Sequence, residues 1–139
     1  TFSVAFYLAK LAKKHGAKMI HFVCLLLGAV SFLCFPIVQN QYVFFAVIIG
    51  YGIAWASMMG IPYLMVVAVV PKERYGVYMG IINMMIVIPM IIQNLSFGYI
   101  LKNFLDNDPR QAITFAGVLL VLAAICTLLI KVKKTNLSE

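Results

Sequence analysis

Charge is what this 139-residue sequence has least of. Only 11% of its residues are Asp, Glu, Lys or Arg, against roughly a quarter in ordinary soluble domains, and only four are acidic. With 64% hydrophobic residues and a mean hydropathy of +1.02, a water-soluble globule has no means of hiding its apolar surface. The four acids, Glu73, Asp106, Asp108 and Glu139, fall in connecting stretches or the tail. No carboxylate therefore lies inside an apolar run, where proton or sodium coupling usually places one. Cys24, Cys34 and Cys126 sit inside apolar runs without a CxxC or Cys/His ligand spacing, so neither a disulfide framework nor a metal site is implied. A P-loop, GxSxG, HExxH and a Ser/His/Asp set at membrane depth are all missing, which leaves an ATP-driven pump and an embedded hydrolase without support, and no cofactor is implied. The opening residues lack the basic n-region and small-residue cleavage site of a signal peptide.

What the sequence does hold is long uncharged tracts. The 53 residues between Lys18 and Lys72 have room for two membrane spans, with Gln39-Asn40-Gln41 as the turn between them. Tyr75 to Leu101 (27 residues) and Gln111 to Ile130 (20 residues) each suffice for one more. The pattern predicts an all-α integral membrane bundle with spans at about 19–38, 42–70, 76–101 and 111–130. Residues 1–9 are apolar but half the length of a crossing, and are expected to be the end of a truncated span.

The net charge of +7 would suit a nucleic-acid partner if it were gathered on a soluble face. It is not. Lys10, Lys13, Lys14, Lys18, Lys72, Arg74, Lys131, Lys133 and Lys134 occupy alternate connections, whereas the intervening ones hold only Lys102 and Arg110. This bias assigns the first set, and the C-terminal tail, to the cytoplasm of a multi-pass cell-membrane protein.

The spans differ in polarity. Leu25, Leu26, Leu27, Ala29, Val30 and Phe32 make span 19–38 nearly all apolar, and 111–130 is similar, so both are expected to face lipid. Span 42–70 carries Trp55, Ser57, Pro62 and Tyr63, and span 76–101 carries Asn83, Pro89, Gln93, Asn94 and Ser96. Polar groups at bilayer depth need protein or water beside them, so these two spans are expected to be the inner pair. Pro62 and Pro89 release the carbonyls of Met58 and Met85, and kinks are expected there; packing alone explains a kink, while carriers use bent helices at the substrate. Gly52, Ala56 and Gly60 place three small side chains on one face for helix packing, and Gly76 and Gly80 repeat the spacing. Asn83 and Asn94 share a stripe with Met90 between them; interhelical hydrogen bonding is the commoner use of such an Asn, and a substrate hydroxyl the alternative. Trp55, Ser57, Tyr63, Asn83, Gln93 and Asn94 are the substrate-cavity candidates. His21, one turn beyond Lys18, reads as an interfacial residue rather than a proton relay.

GIAWASMMGIPY (Gly52 to Tyr63) followed by VPKERYGVYMGIINMMIVIP (Val70 to Pro89) resembles the last third of major facilitator superfamily sugar symporters, nearest the sucrose-transporter-like and glycoside-pentoside-hexuronide:cation carriers. LAKKHGAK (Leu11 to Lys18) is similar to the basic loop after the second helix of each half of such proteins, although its usual acidic residue is absent. The resemblance implies the end of an eighth helix and helices nine to twelve, from the C-terminal half of the fold, with helices ten and eleven beside the central cavity. It also implies cation-coupled uptake of a sugar or glycoside by alternating access, with membrane lipid, the missing upstream helices, the substrate and a coupling cation as partners. Met90 stands where the family often has Gln after the helix-eleven proline, with Gln93 one turn on, a departure that argues against sugar contact at that spot. A structural or assembly subunit of a membrane complex is the competing reading, and a membrane-embedded enzyme the weakest.

Overall fold

A computed structural model of the protein describes residues 2–130. The tail from Lys131 to Glu139, expected to be cytoplasmic, lies outside the described residues. Five helices follow in order: α1 (Phe2–His15), α2 (Ala17–Cys34), α3 (Gln41–Val67), α4 (Tyr75–Phe104) and α5 (Pro109–Leu129), with a 3-10 turn at Lys72–Arg74. There is no strand among the described residues. Four of the helices are long and apolar enough to cross a membrane, as the uncharged tracts predict.

The helix boundaries follow local chemistry, and they correct the expected ones. The apolar stretch 1–9 belongs, from Phe2, to a helix that continues through the lysines to His15. A single residue, Gly16 at φ +90°, then reverses the chain into α2, a backbone conformation open to glycine and strained for most other residues. α2 stops at Cys34, short of the expected 38, because Pro36 has no N–H to continue the ladder. Asn40 then caps α3, its side chain accepting from Tyr42 N at 2.9 Å, while Phe35 and Phe44 pair across the turn with ring centroids 5.0 Å apart. α3 ends at Val67, before Pro71. Between α4 and α5, Asp106 and Asn107 adopt left-handed backbone at φ 47° and 57°, and Asn107 N reaches back to Leu101 O at 2.9 Å. Asp108 caps α5 by accepting from Arg110 N at 2.9 Å, with Pro109 at the first helical position.

α2 is the centre of the packing, touching α1, α3 and α5. The lipid-facing expectation therefore fails for the face of α2 that bears Cys24, Leu25, Gly28, Ala29 and Ser31, all buried. The leucine run hid the cause, which is the small residues between them. Gly28 meets Ala54 of α3, Gly50 of α3 meets Ser31, and Gly117 of α5 meets Phe32 and Leu33. At each point a missing side chain lets two helices close on one another, which is how apolar helices gain contact energy in lipid. α1 folds back on this unit, and Leu8, Cys24 and Ala56 form a shared cluster of α1, α2 and α3. α4 stands apart: it has no buried residue, and its main packing against a long helix is a sparse one with α3.

Buried hydroxyls in this interior are satisfied within the chain, as hydrocarbon requires. Ser31 donates to Leu27 O at 2.8 Å and Thr127 to Ala123 O at 2.9 Å, each one turn back on its own helix. No buried side-chain nitrogen or oxygen among the described residues lacks a partner.

Candidate functional site

One polar side chain of α3 meets one of α4. Tyr63, on the last turns of α3, donates its phenolic hydrogen to the side-chain oxygen of Asn83 on α4. Nearer the connection, Tyr75 Oη donates to Val67 O at 3.3 Å. These bonds tie together two helices that otherwise share little contact, so the α3–α4 arrangement rests on polar groups rather than on interdigitated apolar side chains.

The other candidates divide in two. Trp55, Met59 and Tyr63 recur every four residues along one row of α3; Trp55 is 46% exposed, with Tyr51 tilted against it at a centroid distance of 6.1 Å. Tyr51 in turn stacks on Phe32 of α2 at 4.6 Å, so Trp55 stands on an aromatic column rooted in the packed core. On α4, Asn83, Met90 and Asn94 share their stripe, and all are exposed, as is Gln93. Ser57 is placed elsewhere: it is fully buried between α2 and α3, where its hydroxyl and His21 Nδ1 lie 2.9 Å apart. Its hydrogen-bonding capacity is engaged inside the bundle.

Pro62 and Pro89 both lie within continuous helices, so each removes a rung without ending its helix. Of the small residues, Ala56 is buried, whereas an added side chain at Gly52 or Gly60 would meet nothing within 4 Å. The close crossings lie instead at Gly28, Gly50 and Gly117, glycines with no regular spacing to mark them in the sequence.

Two polar contacts were not anticipated. His21 pairs with Ser57, and the one sequence signal was a polar residue at similar depth in each of two antiparallel neighbours. Lys18 Nζ donates to Leu128 O and Ile130 O, each at 2.7 Å, holding the start of α2 against the end of α5. A cation at the carbonyl end of a helix satisfies acceptors that lack intrahelical partners and opposes the helix dipole. This contact also places the start of α2 and the end of α5 at one end of the bundle, as four alternating crossings require.

Four helices long and apolar enough to cross a membrane, with most of the polar side chains on two of them, define a multi-pass membrane protein. The chain belongs to the Major Facilitator Superfamily, whose family model matches residues 1–138, and this places it among membrane transporters. Comparisons with curated proteins and with solved structures returned no match.

Proposed function

We propose that the chain forms part of a secondary active carrier in the cell membrane that takes up a sugar or glycoside together with a cation by alternating access. The α3–α4 pair would border the substrate pathway, and the basic ends, with the C-terminal tail, would face the cytoplasm. The observation that carries this reading is the Tyr63–Asn83 hydrogen bond, which joins two polar, proline-bearing helices that share little other contact. Such a bond can be exchanged for one to a substrate hydroxyl at little net cost, since both partners find new partners in a wet pathway. Trp55 supplies a half-exposed aromatic face nearby in the same row as Tyr63, suited to the apolar face of a sugar ring. Exposed Asn94 and Gln93 on α4 need protein or water at that depth, which supports further helices of the same carrier closing around α4. Those helices would supply the carboxylate that couples the cation.

The test is uptake of a panel of radiolabelled glycosides by proteoliposomes containing the full carrier, with an imposed proton or sodium gradient. Gradient-dependent accumulation of at least one sugar is expected. Uptake of other solute classes with no sugar transported would overturn the substrate assignment, and the absence of any solute flux would favour an assembly subunit.

A further inference from the structure

We propose that the end of the bundle bearing Lys10, Lys13 and Lys14 is a docking surface for anionic phospholipid headgroups. The three lysines lie on the last turns of α1 at spacings that bring them to one side of the helix, and all are exposed. Leu8 and Ala12, the buried residues of α1, lie two positions from Lys10 and Lys14, so about 200° away around the helix; the packed face and the charged face are opposed. Lys18 is not part of this surface, because its ammonium group is committed to the Leu128 and Ile130 carbonyls.

Charge at the two ends of the bundle differs in a way the fold makes visible. The start of α2, the end of α3, the start of α4 and the end of α5 share one end, which gathers Lys10, Lys13, Lys14, Lys18, Lys72 and Arg74 against one acid, Glu73. At the opposite end Lys102 and Arg110 are matched by Asp106 and Asp108. One end is therefore strongly basic and the other neutral among the described residues. The apolar spans fix the height of these ammonium groups at the edge of the hydrocarbon, level with lipid phosphates, and flexible lysine stems let each head reach outward from an apolar helix. Lysine suits a fluid layer of headgroups, as a compact charge on a flexible stem without the fixed geometry of an arginine fork.

The experiment places the full protein in phosphatidylcholine vesicles and reads spin-labelled phosphatidylglycerol against spin-labelled phosphatidylcholine by the motionally restricted fraction in electron spin resonance. The wild type should prefer the anionic lipid, with the preference weakening as salt shortens the screening length from about 10 Å at 0.1 M toward about 3 Å at 1 M. The combined variant Lys10→Ala, Lys13→Ala, Lys14→Ala should lose most of it, by up to roughly fivefold per lysine. Three arginines at the same positions should retain the preference, and Lys102→Ala at the neutral end should leave it unchanged. Equal restriction of both lipids by the wild type, or an unchanged preference in the triple alanine variant, would overturn the proposal. So would loss of the preference on adding millimolar inorganic phosphate, which would mark a site for a free anion.

Discussion

Gly28 is the position where the packing model can be tested most sharply. A Cβ added there would lie 2.5 Å from the Cβ of Ala54, which is itself fully buried and fixed to the α3 backbone with no rotamer to retreat into. Carbon atoms in contact prefer about 3.5–4.0 Å, so α2 and α3 would have to separate by about 1 Å along their crossing. Overpacking of this kind costs about 1–3 kcal/mol, while replacing a mid-helix glycine by alanine returns up to about 1 kcal/mol of helix propensity. Gly28→Ala should therefore destabilise by up to roughly 2 kcal/mol, and fall below Gly98→Ala by the full overpacking cost. At Gly117 the nearest side-chain atoms, on Leu33 and Phe32, are 3.1–3.2 Å away, so the same change should cost less. At Gly98 nothing lies within 4 Å, and the variant should be as stable as the wild type or slightly more so. Thermal unfolding of the detergent-purified protein, followed by loss of the monodisperse peak, gives the order directly. A Gly28→Ala protein as stable as Gly98→Ala would refute the close α2–α3 crossing.

Three other expectations follow from the same structure. With the native thiols replaced, cysteines at Asn40 and Asn107 should label from outside the cell, and labelling of a cysteine at Tyr75 from that side would contradict the charge-based orientation. Lys18→Met should lower the thermal midpoint by a few degrees, the loss of charge-assisted bonds worth about 1.5–3 kcal/mol partly offset by the methionine's apolar contacts; an unchanged midpoint would mean that the α2–α5 clasp adds no stability. Asp108→Ala should cost about 1 kcal/mol by removing the α5 cap, and Asp108→Asn should recover most of it; equal losses would place the effect in charge rather than capping.

The spans were legible because hydrocarbon imposes a length and a composition that no soluble helix needs to meet. Their ends were less so: Pro36 stopped α2 four residues before the expected boundary, and the helix that starts in the apolar stretch 1–9 runs on to His15, where Gly16 turns the chain into α2. The polarity of α3 and α4 foretold that Tyr63 and Asn83 matter to one another only in the sense that both needed a partner. Which helix would be central was not readable from hydropathy, since in a membrane an apolar surface faces lipid and protein equally well. Steric fit decides there, and the contacts that decided it, Gly28 on Ala54 and Gly50 on Ser31, join residues more than one helix-turn apart in sequence on different helices. Ser57 shows the same limit, a polar residue that looked available and is engaged by His21.

Sugar uptake by the full carrier bearing Asn83→Leu or Asn94→Leu tests the central claim, that the α3–α4 pair borders the substrate pathway. Leucine keeps the approximate size of asparagine and deletes its donors and acceptors, so each variant should lose at least a bond worth about 1 kcal/mol, or roughly fivefold in transport, at normal abundance in the membrane. Thr114→Val on α5, whose hydroxyl bonds only Arg110 O on its own helix, should transport at the wild-type rate. Wild-type uptake by both Asn variants, or loss of uptake only in step with loss of the protein from the membrane, would contradict the account and leave the stripe as a packing surface.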